Sequence, residues 1–431
     1  MPPPPPVVEQ RGHGGSRDSL ALTLTSAFNS AAGLLGFVIA AWVMPQEEVG
    51  RATEFVSAMQ LIGGAAQLNL GIGLMRWLPG AGRRSVRLVF GSLLLIMPLS
   101  GLVGLCYGLV VPRVTEVAAG DGPFGWGLLL LVLGCAGWGV YVVHDFVLVA
   151  VGRPWIAVWR TGTFAVTRIA LLAVLGAGLA SQGMVLSWVI PVVLWIAAGT
   201  VVLWFVVRRY AAAGDAGRLP SRASMAAFLA PTAVAQFGAV LLYNQVPLLA
   251  NFRMGNEIGA VFFIAWQATV VVDTAAVFFT NSLAVQTARE PHRAAELARS
   301  TRRRMLTVFV PLLALGAVLS WPVLRALGEG YTVGAPVLAA LMVGVLFRLV
   351  VVFELARRQA DGDGFGYARL SLLNSGLVVA LAWLVPLPDP GTAHPALVML
   401  PFVAAYIVVQ AAFAALVTLG DRGTPAAHAA A

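Results

Sequence analysis

Apolar runs follow one another along most of this chain, separated by short breaks that carry charge, proline or glycine. They fall near 20–44, 52–79, 86–112, 124–151, 155–180, 183–207, 224–252, 258–285, 305–327, 333–358, 365–387 and 395–419. Each run reaches the length that a bilayer core demands, about 20 apolar residues in a helix. Inside lipid the backbone must satisfy its own hydrogen bonds, and runs of this length do so as helices. The pattern predicts an all-α polytopic membrane protein with about twelve transmembrane helices. The first 19 residues, MPPPPPVVEQRGHGGSRDS, are polar and rich in Pro and Gly, the composition of a disordered tail. The run after them is longer than the roughly 7–15 apolar residues of a signal-peptide core, so it is expected to stay as an anchor.

The breaks themselves repeat. WVMPQEEVGRA at 42–52 and FRMGNEIGAVF at 252–262 both end an apolar run at Met and then place Glu, a β-branched residue and Gly before a new run. Glu48 and Gly50 match Glu257 and Gly259 at an offset of 209 residues. The same register relates Asp145 to Glu354, Gly152 to Gly362 and Trp155 to Phe365. The chain therefore divides into a tail (1–19), a six-helix bundle (20–210), a linker (211–223), a second six-helix bundle (224–420) and a tail (421–431). Six is an even number, so both bundles enter from the same side and form a parallel repeat. Each Glu-x-Gly is expected at the tip of the first hairpin of its bundle. There Glu favours the next helix N-terminus and Gly permits a tight turn.

Composition agrees with the pattern. Charged residues make up 11% of the chain, hydrophobic residues 59%, and mean hydropathy is +0.85. A soluble domain carries about a quarter charged residues. All 28 basic residues are Arg, and most lie in loops after even-numbered helices: Arg83 and Arg84, Arg208 and Arg209, Arg302 to Arg304, Arg357 and Arg358. Arg51, Arg113, Arg253 and Arg325 follow odd-numbered ones. By the positive-inside rule both termini are cytoplasmic. The net charge of +9 then reflects topology and anionic lipid headgroups and calls for no nucleic acid. The segment TAREPHRAAELARSTRRRM (287–305) interleaves Arg with Ala, Leu and Met, the pattern of a helical extension lying at the interface. Cys106 and Cys135 fall within helices three and four, where cysteine packs as a small hydrophobe.

Polar residues inside the apolar runs are the candidates for chemistry. Helix two places Glu54, Ser57, Gln60, Gly64, Gln67 and Gly71 on one face at steps of three and four. Helix one carries Ser26, Asn29, Ser30 and Gly33, helix seven Gln236, Tyr243, Asn244, Pro247 and Asn251, helix eight Thr269, Asp273 and Thr280. One such face is explained by helix packing. Four at the start of both bundles point to a hydrated cleft between them. Arg168, Asp273 and Arg348 lie deep in helices five, eight and ten, and Arg76 lies near the inner end of helix two. A charge at depth costs about 2.5–3.5 kcal/mol on the insertion scale. In a wet cavity an arginine fork suits phosphate oxygens; the competing readings are a buried pair such as Arg168–Asp273 and a snorkelling Arg76. Glu354 stands four residues before Arg358, the spacing of a local pair. His144 adjoins Asp145, and the five histidines show no metal-ligand spacing. The chain has no Walker A motif and no H-E-x-x-H.

With these residues in place the chain resembles the polysaccharide (oligosaccharide) flippases of the multidrug/oligosaccharidyl-lipid/polysaccharide exporter superfamily. The two six-helix halves, the Glu-x-Gly after helices one and seven, NLGIGLMRWLPGAGRR at 69–84 and the basic stretch between helices eight and nine carry the resemblance, over about residues 20–420. It implies a cell-membrane transporter rather than an enzyme, with no cofactor. Such a transporter moves a polyprenyl-diphosphate-linked oligosaccharide from the cytoplasmic to the outer leaflet by rocking two bundles, for polysaccharide biosynthesis. The implied partners are that lipid-linked substrate, membrane lipids, and glycosyltransferases and a polymerase of the same pathway. Arg76, Arg168, Arg348, Gln60, Gln67, Asn29 and Asn244 are the expected substrate-binding residues, and Asp273 the acid available for ion coupling. Lipid II flippases carry cations in helix one and drug/cation antiporters an acid in helix one or seven; neither helix here has either. A small-molecule exporter of the same fold is the alternative. A membrane-embedded glycosyltransferase or polymerase needs acidic residues on substantial outer loops, and the first outer loop is about PQEEVGR.

Overall fold

The computed structural model describes residues 33, 35–117, 126–289 and 291–422. Among them the regular structure is helical throughout. The N-terminal half holds α1 (35–43), α2 (Gln46–Ala66), α3 (Leu70–Ala81), α4 (Ser85–Val110), a short α5 (Arg113–Glu116), α6 (Trp126–Ala150) and α7 (Pro154–Ala212). The C-terminal half holds α8 (Arg222–Val240), α9 (Val246–Met254), α10 (Asn256–Arg289), α11 (Ala294–Val318), α12 (Ser320–Arg325), α13 (Ala335–Ala360), α14 (Gly364–Leu384) and α15 (Pro395–Arg422). Eight stretches among the described residues are long and apolar enough to cross a membrane. Two of these, Gln46–Val110 with 65 residues and Pro154–Ala212 with 59, each hold two crossings. With α1 and the apolar part of α11 they make a twelve-helix membrane protein built from two repeated halves. Large apolar side chains such as Leu94, Val174 and Trp159 are exposed on its outside, as a lipid-facing surface requires.

The repeat is visible in backbone geometry. Two residues past α6 stands Gly152 with φ +72°, two past α13 stands Gly362 with φ +76°, and α7 and α14 begin two residues after these glycines. Only glycine adopts that conformation without strain, which is why both halves keep it at an offset of 210 residues. α7 is two spans in one, reversed at Ala180 (φ 47°, ψ −125°), where the sequence places the break between helices five and six.

Two expectations change. Helix two is not continuous: Leu68 and Asn69 are left-handed (φ 51° and 54°) and separate α2 from α3. The Glu-x-Gly motif is not the turn. Chain reversal occurs at Pro45 and at Gly255 (φ +84°), and the motif occupies the first turns of α2 and α10. Its acids Glu47, Glu48 and Glu257 do sit where the helix dipole favours them. The basic segment 287–305 spans the end of α10, a 3-10 turn at Pro291–Arg293 and the first turns of α11, which extend span nine as a helix. There Arg302, Arg303 and Arg304 are exposed while Thr301 and Met305 are buried, and Arg293 pairs with Glu296 at 3.0 Å. Hydrogen bonds from Arg293 hold the exposed Glu296 carboxyl below its ordinary range. Cys135 packs as expected, but Cys106 is exposed.

Candidate functional site

The two halves meet tightly on the face that carries the turns at 45 and 255. Gly50 lies so close to the partner half that a Cβ there would stand 1.9 Å from the Asn256 carbonyl oxygen, and one on Gly259 would stand 1.8 Å from Asn251 Oδ1. The repeated glycines thus serve close helix approach, not turns. Around them Asn251 Nδ2 donates to Thr53 Oγ1 at 3.1 Å and Gln46 Nε2 to the Glu257 carbonyl at 2.9 Å. Arg113 forks onto the buried Glu54 at 2.7 and 3.2 Å and also reaches the Asn251 carbonyl and Asn256 Oδ1, at 3.3 and 3.0 Å. Phe37 on α1 packs edge-on against Phe263 on α10, ring centroids 4.6 Å apart. Overpacking such a contact costs about 1–3 kcal/mol. Gly50→Leu is therefore expected to lower the thermal midpoint by several degrees. It should also make a cysteine introduced at Thr53 reactive toward an impermeant thiol reagent, in a protein with Cys106 and Cys135 replaced by Ala. If that cysteine stays as protected in the Gly50→Leu protein as in the one that keeps Gly50, this face is not the seal.

Beneath the seal the halves part around a cavity of about 320 Å³. α2 contributes Gln60, Gly64 and, at its C-terminal edge, Gln67; α7 contributes Arg168 and Trp188; the C-terminal half contributes Gln236, Tyr243, Asn244, Gln267 and Thr274. Arg168 is buried, and its guanidinium lies over the Trp188 ring at 4.2 Å. Gly36 makes room for it: a Cβ there would sit 3.1 Å from Arg168 Nη2. Gln67 marks the α2–α3 break, and its Oε1 is buried with no partner among the described residues. Span seven is irregular here too. Leu241–Gln245 form a π-helical turn between α8 and α9, and such turns re-aim side chains at functional sites. This turn carries Tyr243 and Asn244.

Of the predicted site residues, Gln60, Gln67, Arg168 and Asn244 line one cavity. Asn29 lies outside the described residues. Arg76 is exposed, stacked over Phe228 at 4.4 Å, and is not among the cavity-lining residues. Arg348 and Asp273 lie behind the wall as a pair, Nε to Oδ1 at 3.2 Å, both side chains 5% exposed. Arg348 Nη1 also donates to Asn374 Oδ1 at 2.9 Å, and Asn374 and Gln410 exchange amide hydrogen bonds. The open anion site expected at Arg348 is thus a closed structural pair, and Asp273 is held by that cation instead of standing alone as an acid. The alternative Arg168–Asp273 pair is not formed, because Arg348 takes the carboxylate. Elsewhere Glu354 pairs with Arg357 and Arg358 at 2.7 and 2.8 Å. Asp145 pairs with Arg160 at 2.6 Å, leaving His144 buried beside Thr200 at 3.5 Å.

Sequence reading missed Gln267, Trp138 and Trp188 in the lining, and the Glu54–Arg113 bridge. Gln267 stands off the Thr269–Asp273 stripe, and an aromatic in an apolar run looks the same whether it faces lipid or a cavity. Glu54 was legible as a polar face position; its partner comes from the short α5, 59 residues away.

No family model matches the chain, and no curated protein matches it in sequence. Solved structures do share its fold. A transporter of the MOP superfamily from Pyrococcus furiosus, described as having a binding pocket of reversed polarity, superposes with TM-score 0.62 at 14% identity over 95% of this chain and 94% of its own. A multidrug-resistance MATE family transporter of the same superfamily superposes in its inward-facing form with TM-score 0.61 at 17% identity, covering 92% and 96%. A MATE transporter in its outward-facing form does so with TM-score 0.61 at 15%, covering 95% and 94%. At these identities the likeness is one of fold.

Proposed function

We propose that the chain is a membrane transporter that carries a polyprenyl-diphosphate-linked oligosaccharide from the cytoplasmic to the outer leaflet by alternating access. One observation carries this reading. The cavity between the halves is lined by a guanidinium, five side-chain amides, hydroxyls and aromatic rings, and by no carboxylate among its described lining residues. Amides both donate and accept, which matches sugar hydroxyls. A guanidinium matches phosphate. A cationic drug would meet no countercharge there. The arginine-rich linker face is the cytoplasmic one on this reading, with the seal toward the outer leaflet. The polyprenyl tail remains in the bilayer, and only the diphosphate and adjoining sugar enter. Glycosyltransferases that build this substrate and a polymerase that consumes it are the expected pathway partners; nucleic acid is not.

The cavity volume favours a second reading equally. About 320 Å³ lies in the roughly 300–1,000 Å³ range of small-ligand sites, so export of a drug-sized neutral or anionic molecule also fits. Proteoliposomes separate the two. A polyprenyl diphosphate bearing a short glycan is loaded in one leaflet, and lectin capture on the other side is followed beside efflux of small dyes. Lectin capture that depends on the protein is the expected result. Dye efflux without lectin capture would replace the flippase by the exporter.

A further inference from the structure

Tyr243 touches both the cavity and the buried pair behind it. It lines the cavity on the π turn, and its hydroxyl donates to Asp273 Oδ2 at 2.6 Å. Asp273 Oδ1 in turn receives Arg348, which on its far side donates to Asn374, itself held by Gln410. The network thus ties together span seven, α10, α13, α14 and α15, with one end at the cavity wall. A tyrosine has a single hydroxyl proton. With that proton given to Asp273, Tyr243 can offer a ligand its ring and an oxygen lone pair, but no donor. Asn244, the next residue, also spends an amide proton inward, on the Val240 carbonyl at 3.2 Å. Across the cavity the charged donor is Arg168, on the N-terminal half.

We infer that the Asp273–Arg348 pair positions Tyr243 as a hydrogen-bond acceptor, so that this wall selects the hydroxyl-bearing sugar of the ligand while the Arg168 side takes its phosphate. Asp273 and Arg348 touch no ligand; they act through Tyr243. The acceptor wall also disfavours phosphate, because two lone pairs facing each other across a dry contact repel. Gln67 Oε1, buried without a partner among the described residues, is a second acceptor for the same sugar. The inference rests on the flippase reading and adds which wall reads which part of the substrate.

The test is the ratio of two affinities, measured on the purified full-length protein in lipid nanodiscs. The probes are a polyprenyl diphosphate bearing one sugar and the same lipid diphosphate without it. One neutral hydrogen bond is worth about 0.5–1.5 kcal/mol, or roughly 2- to 12-fold. Tyr243→Phe is expected to weaken the glycosylated probe by a factor in that range and not to weaken the bare one. The double variant Asp273→Leu, Arg348→Met removes both buried charges together, which keeps an unpaired ion out of the core, and with them it removes the acceptor of the Tyr243 hydroxyl. It frees the Tyr243 proton to turn toward the cavity, so the bare diphosphate is expected to bind several-fold tighter. A purely structural role would weaken both probes alike, and that result in either variant overturns the inference while leaving the flippase reading intact. An unchanged ratio in both variants does the same. Binding of neither probe by the unaltered protein overturns both.

Discussion

Asp273→Ala is expected to cost about 3–5 kcal/mol of stability, because it strands Arg348 as an uncompensated charge in a buried site. The pair is closed off from water, with both side chains 5% exposed, and Asn374 can satisfy only part of the guanidinium. The thermal midpoint in nanodiscs should drop by several degrees even without substrate. Arg348→Ala should be damaging for the mirror-image reason. The double change to a neutral pair should recover most of the loss, since the desolvation of both ions disappears with their attraction. A double-mutant cycle reads the coupling directly. Additive losses would mean that the two groups do not depend on each other and that the network is not what holds spans seven, eight and ten together. Asp273 belongs first to the architecture of the C-terminal half, so any loss of transport in its single variants has to be read against this stability effect.

The second large effect is expected at Arg168, on transport instead of folding. A hydrogen bond to a charged group contributes about 1.5–3 kcal/mol, so Arg168→Ala should reduce lipid-diphosphate flipping by one to two orders of magnitude. Arg168→Lys keeps the charge but loses the planar fork and the stacking surface over Trp188, and should fall between the two. The experiment is the lectin-capture rate in proteoliposomes at matched protein incorporation. Equal rates for Ala and Lys would remove the fork from the account; a rate for Ala equal to the unaltered protein would remove Arg168 from substrate binding. Gly36→Ala offers an independent check. It adds a methyl about 3.1 Å from Arg168 Nη2 and should reduce the rate by shifting that side chain without altering any charge.

Periodicity alone yielded the twelve spans, the two halves and the offset that relates them, because a bilayer forces length and polarity into the linear pattern. It also placed Gln60 and Gln67 on one helix face, since three- and four-residue steps are local geometry. Its errors were about what a residue does for a distant neighbour. Gly50 and Gly259 were legible as special, yet their purpose depends on close neighbours: the opposite half's Asn256 for Gly50, and Asn251 of the preceding helix for Gly259. Arg168 and Arg348 look alike as deep arginines in apolar runs. One lines a cavity and the other closes an ion pair with a residue 75 positions away.

What the sequence determined by itself is everything that repeats every few residues or follows from transfer into lipid: helices, their number, their charge bias and their parallel duplication. Tertiary structure decided which polar groups share a cavity, which charges neutralise each other, and where two helices break so that Gln67 and Tyr243 reach the cavity wall. The physical reason is range. Burial and backbone hydrogen bonding act on each segment wherever it lies. The meeting of Tyr243, Asp273 and Arg348 needs three spans packed at one depth, and no local pattern records that.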